Sequence, residues 1–113
     1  MRYKELIVWQ KSMDLVDKIY ACADGFPRQE QFGLWSQLTR AAVSVPSNIA
    51  EGSGRVSAKD CVHFLSIARG SLYEIATQLE IAQRRKYIAV PEDVTALIDE
   101  IARMLTHMLA RRS

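Results

Sequence analysis

Proline and glycine are scarce, with three and five in 113 residues. Chains built from many short strands need many tight turns, and turns draw on those two residues, so an all-β fold is excluded. Cysteine is scarcer still. Cys22 and Cys61 alone make no disulfide framework. No apolar run approaches the roughly 20 residues of a membrane helix. The stretch Leu6 to Trp9, behind the charged Met1-Arg2-Tyr3-Lys4-Glu5, is too short for a signal peptide. The expectation is a cytoplasmic protein with no membrane contact. Charge of one sign is lacking too: 15 Lys and Arg face 13 Asp and Glu, a net +2 that by itself points to no partner. There is no low-complexity tract and no repeat of solenoid length. Gly52-Ser53-Gly54 follows a helical pattern, whereas a phosphate-binding loop follows a strand.

What is present is apolar periodicity. With 49% apolar residues in 113, the chain supports one domain over residues 1–113, with one core. Trp9, Met13, Val16, Tyr20 and Ala23 step by four and three, predicting a helix over Leu6–Ala23 that Gly25-Phe26-Pro27 stops. Trp35, Leu38, Ala42, Val45 and Ile49 predict a second helix over Gln29–Glu51, kinked but not broken at Pro46 and ended by Gly52 as a left-handed cap. Ser57 and Asp60 open a third helix in the manner of a capping box, with Val56 and Cys61 at staple positions. Cys61, Leu65, Ala68, Leu72, Ile75, Leu79 and Ala82 then run without error to Arg84-Arg85-Lys86, and Gly70 is expected to admit a neighbouring helix. The fourth helix starts at Pro91, with Glu92 and Asp93 in its first turn and Val94, Ile98, Ile101, Leu105 and Met108 as its stripe. Short connections between four such helices predict an all-α, up-down-up-down antiparallel four-helix bundle.

Reactive constellations are missing. Asp60-x-x-His63 only faintly resembles half of a carboxylate di-iron site, which needs two Glu-x-x-His motifs and two further glutamates on facing helices. Cys61 and His63, two apart on a helix, point in different directions. Cys22 and Cys61 belong near opposite ends of the bundle. The reading is no catalytic residues, no metal, no cofactor and no small-molecule substrate.

Two features exceed what a bundle needs. Gln37, Arg40, Ser44, Ser47, Asn48 and Glu51 form a polar stripe on the second helix, and the third carries Arg69, Ser71, Glu74 and Gln78. Arg40, Ser44, Asn48, Glu51, Arg69 and Glu74 are therefore candidates for a structural polar network, between these helices or between subunits. A solvated face is the plainer alternative. Charge is also uneven. An up-down-up-down order gathers Arg2, Lys4, Lys11, Arg55, Lys59, Arg111 and Arg112 at one end, against Glu5, Glu51 and Asp60, a net +4. These seven cations are the candidate nucleic-acid contacts. Apolar residues off the main stripes, Leu15, Val43, Val62, Ile81 and Leu97, point to self-association.

Several segments carry a resemblance: Val8-Trp9-Gln10-Lys11, the run from Phe32 through Arg40 and Pro46 to Asn48-Ile49-Ala50-Glu51-Gly52, Phe64 through Gly70-Ser71-Leu72 to Glu74, and Gln78-Leu79. Across nearly its whole length the chain resembles the four-helix proteins encoded by intervening sequences in bacterial 23S rRNA genes. The resemblance implies a four-helix fold, a homopentameric ring and no enzymatic activity. A related protein of diversity-generating retroelements, the accessory variability determinant, is a basic pentamer that binds nucleic acid and a reverse transcriptase. The function expected is thus a homo-oligomer that contacts RNA or DNA. The alternative is a structural or protein-binding oligomer with no nucleic-acid role.

Overall fold

The computed structural model describes residues 1–112 and contains, among them, four α-helices and no strand. They are α1 (Ile7–Ala23), α2 (Leu34–Ser53), α3 (Ala58–Arg84) and α4 (Glu92–Arg112), with short 3-10 turns at Arg2–Glu5 and Arg28–Glu30. Each helix packs on its neighbours in sequence, and α1 closes the square against α4. Contacts along each side run in opposite senses. Lys11 meets Glu100 and Lys18 meets Asp93, Ser71 meets Ser44 while Gly52 faces Cys61, and Arg69 meets Thr106 while Gln83 meets Val90. The result is an antiparallel bundle 43 Å long and about 25 Å across.

The α3 stripe read from the sequence is the core without exception: all seven of its residues are buried. The α2 stripe holds as well, with Leu38, Ala42, Val45 and Ile49 fully buried, and α2 continues through Pro46 as one helix. On α4 the stripe holds to Leu105, after which Leu109 takes the buried place expected of Met108. Ser57 caps α3, its hydroxyl accepting from the Asp60 backbone N–H at 3.0 Å.

Other expectations are corrected. The buried face of α1 is Val8, Ser12, Leu15, Ile19 and Ala23, one residue round from the stripe read in the sequence, and Met13 and Tyr20 stand at the surface. Ser12 hides the true face from a pattern search. Its burial is tolerated because its hydroxyl donates to the Val8 carbonyl at 2.6 Å. Leu15, expected off the stripe, is therefore core. The second helix starts five residues late. The chain turns at Gly33, and the Glu30 carboxylate accepts from the Leu34 N–H at 3.0 Å and from the Tyr87 hydroxyl at 2.8 Å, fastening the start of α2 to the α3–α4 connection. A β-carbon on Gly33 would lie 2.8 Å from Glu30 Oε1, so a larger residue there would displace the carboxylate that caps α2.

Gly52 is not a left-handed cap, for α2 runs on to Ser53 and no glycine has positive φ. It is the close-approach glycine instead: a β-carbon there would meet the Cys61 carbonyl and Phe64 Cβ, each at 3.3 Å. Gly70, given that role from sequence, faces open space. Val56 is fully exposed, so no hydrophobic staple forms. Among the described residues the one left-handed residue is Lys86, φ 65°, in a Schellman turn: its N–H reaches the Gln83 carbonyl and the Tyr87 N–H the Ala82 carbonyl.

Candidate nucleic-acid interface

The basic end is assembled by local structure. The 3-10 turn Arg2–Glu5 folds back on α1 and α2. It is pinned by the Tyr3 ring edge-on to Trp9 at 5.3 Å and by the Gln10 side-chain amide donating to the Lys4 carbonyl at 2.9 Å. That turn carries Arg2 over the end of the bundle. The α2–α3 connection brings Arg55 to the same place, and the last turn of α4 brings Arg112. These three arginines rim one cleft of about 250 Å³. Its floor is apolar, made by Leu6, Ile49, Cys61, Leu65 and Met108, and it reaches down to residues of the core.

The cations differ in how free they are. Arg55 is held: its Nη2 lies 3.2 Å from Glu51 Oε1, and its guanidinium stacks 4.7 Å from the centre of the Phe64 ring. Arg2, Lys4, Lys59, Arg111 and Arg112 are exposed. Lys11 is not part of this surface. It pairs with Glu100 at 2.6 Å on the α1–α4 side, where a neutralised ammonium adds little to a phosphate footprint. The cleft therefore gathers Arg2, Arg55 and Arg112, flanked by Lys4, Lys59 and Arg111 on the same end.

The polar network is smaller than the sequence reading proposed. The Ser71 hydroxyl donates to the Ser44 hydroxyl at 2.8 Å, and the Asn48 amide donates to the Ser44 hydroxyl and carbonyl at 2.9 and 2.8 Å. Within one chain those three residues link α2 to α3. Arg40 and Glu74 stand exposed outside that network, Glu51 turns to Arg55 instead, and Arg69 reaches Thr106 of α4 at 3.3 Å. Sequence periodicity placed Arg40, Glu51 and Glu74 near the seam, but long side chains take solvent when it is available. Ser71 and Gln78, noted on α3 but not chosen for the network, are the buried polar residues of the seam, and Gln78 leaves its Oε1 without a hydrogen-bond partner.

The opposite end is held differently. Lys18 and Asp93 pair at 2.7 Å between α1 and α4. Their hydrogen bond, reinforced by charge, raises the Lys18 ammonium above its ordinary pKa and lowers the Asp93 carboxyl below its own. The hydrogen bond from the Leu34 N–H, then that from the Tyr87 hydroxyl, lowers the Glu30 carboxyl. Burial pushes the Cys22 thiol up, away from the reactive thiolate. Cys22 sits at this end and Cys61 under the basic cleft. Among the described residues, no three His, Cys, Asp or Glu side chains gather as metal ligands, and no helix is long and apolar enough to cross a membrane.

No curated protein matches the chain. Among solved structures it is similar to a protein of unknown function from the S23 ribosomal protein family of Bacteroides thetaiotaomicron, at 25% identity and a TM-score of 0.83. The superposition covers 91% of this chain and 98% of that one, so the likeness extends over the whole bundle. The model of the 23S rRNA-intervening sequence proteins matches residues 4–107, nearly the whole bundle, and the chain belongs to the 23S rRNA-intervening sequence protein family.

Proposed function

We propose that the protein is a non-enzymatic, cytoplasmic homo-oligomer, a ring of five, that contacts RNA or DNA phosphates through its basic end. The observation that carries this reading is the convergence of Arg2, Arg55 and Arg112 on one cleft, with Lys4, Lys59 and Arg111 around it. Clustered cations without base-reading side chains give binding that depends little on sequence and strongly on salt. Anisotropy of labelled duplex DNA across a salt series tests it. The log–log slope is expected to be about −0.9 per phosphate contacted. Replacing Arg111 and Arg112 by alanine should flatten it by roughly one or two units. Absence of binding at low salt discards the nucleic-acid role.

A second reading, an oligomer that binds only protein, has its own support. The outer groove between α1 and α2 is apolar, lined by Trp9, Met13, Val16, Val43 and Pro46 over about 340 Å³. Phe32 and Val56 are almost wholly exposed. We read this apolar groove as a contact between subunits, and both readings share it. Light scattering after gel filtration measures the assembly. A mass of 12.8 kDa, that of one chain, would rule out the oligomer in both.

A further inference from the structure

The shape of the arginine cleft bears on which phosphate it would take, an inference that rests on the nucleic-acid reading above. Internal phosphates of a strand carry one charge each and follow one another, so they suit an extended basic groove. Here the charge converges instead. Arg2, Arg55 and Arg112 surround a single concavity, closed below by core residues Ile49 and Leu65. Its volume of about 250 Å³ falls below the roughly 300 Å³ at which sites for drug-sized ligands begin. It admits one phosphoryl group with part of a sugar.

We propose that this cleft binds a terminal phosphomonoester, and that its occupant is the phosphorylated end of a nucleic-acid strand. A phosphomonoester carries roughly −1.5 to −2 charge at neutral pH and three strong acceptor oxygens. That suits a cleft lined by three arginines, whose guanidiniums each offer a planar fork of donors. The aliphatic floor suits the apolar faces of the adjoining sugar, and by excluding water it strengthens the ionic contacts above it.

Glu51 is the built-in competitor. Its carboxylate occupies Arg55 at 3.2 Å, on the rim of the cleft. A bound phosphate must share that guanidinium or displace the carboxylate. Glu51→Gln therefore removes an opposing charge without removing a donor from the cleft. Since the Glu51–Arg55 pair is half exposed and joins residues four apart across the end of α2, its loss leaves the fold intact.

The test compares a short single-stranded RNA bearing a 5′-phosphate, the same strand bearing a 3′-phosphate, and the strand with hydroxyls at both ends, at fixed low salt. A phosphorylated end should bind at least about tenfold tighter than the hydroxyl strand, the scale of one charge-assisted contact. Arg2→Ala and Arg112→Ala should each remove most of that preference. Glu51→Gln should tighten the phosphorylated strand several-fold, a gain that misfolding cannot imitate. Equal affinity for all three strands, with salt dependence retained, overturns the end-binding site and leaves the broader reading standing. No binding of any strand overturns both. A free mononucleotide that competes as well as the phosphorylated strand overturns the assignment to a strand end and gives the cleft to a soluble nucleotide.

Discussion

Two glycines in neighbouring helices should respond to the same mutation with opposite signs. At Gly70, in the interior of α3, an added β-carbon meets nothing within 4 Å. Gly70→Ala therefore gains helix propensity alone, about 1 kcal/mol. Unfolding entropy near 2.1 cal/mol/K per residue gives about 0.24 kcal/mol/K for a chain of this length, so the gain should raise Tm by about 4 °C. At Gly52 the same methyl would press on the Cys61 carbonyl and on Phe64 Cβ at 3.3 Å, with Leu65 Cδ2 at 3.5 Å behind them. Two of these neighbours are fixed by the α3 backbone. They yield only if α2 and α3 move apart, and overpacking of that kind costs roughly 1–3 kcal/mol. Set against the propensity gain, Gly52→Ala should end about 1 kcal/mol below the parent, or about 4 °C lower. Thermal and urea melts followed by circular dichroism at 222 nm would read both, at two protein concentrations. A stabilised Gly52→Ala would refute the close packing of α2 on α3. A destabilised Gly70→Ala whose deficit grows with protein concentration would show that the outer face of α3 is covered by another chain.

Three further expectations follow from named contacts. Lys86 holds a left-handed conformation, φ 65°, which costs a side chain about 1 kcal/mol that glycine is spared; Lys86→Gly should raise the urea midpoint accordingly, and an unchanged or lower midpoint would mean the Schellman turn does not limit stability. Ser44→Ala removes the acceptor of the buried Ser71 hydroxyl and should cost about 1–2 kcal/mol, whereas Ser71→Ala removes a donor from a group that still has Asn48 and should cost less; equal losses would contradict the assigned direction of the bond. The lowered Glu30 pKa contributes stability that is complete above the ordinary glutamate value, about 4.3, and is lost as pH falls through the folded value; urea midpoints between pH 6 and pH 3 should fall less steeply in Glu30→Gln, and identical acid limbs would dismiss the Glu30 clasp on α2 and Tyr87.

Apolar period and helix punctuation were enough to read the class of fold, the number of helices and most of the core. On α3 seven apolar residues step three and four with no polar interruption, and only one helical face satisfies them. Ser57 announced the start of that helix because a cap works through residues close in sequence. Helix order alone also brings Arg2, Arg55 and Arg112 to one end of such a bundle. What lies opposite a residue depends on how the helices dock, and no period along one helix reveals it. Two apolar stripes run side by side on α1, and burial of Ser12 selected the one that a search for unbroken hydrophobicity passes over. Gly52 and Gly70 look alike in the sequence, yet the helix crossing put a neighbour over the first and solvent over the second. Lys11 and Arg112 were equal members of a basic cluster until the packing of α1 on α4 gave Lys11 a carboxylate and brought Arg112 to a cleft with Arg2 and Arg55. A residue's period along the helix fixes its direction. Its partner, and hence whether its charge is spent or free, is fixed only when the helices dock.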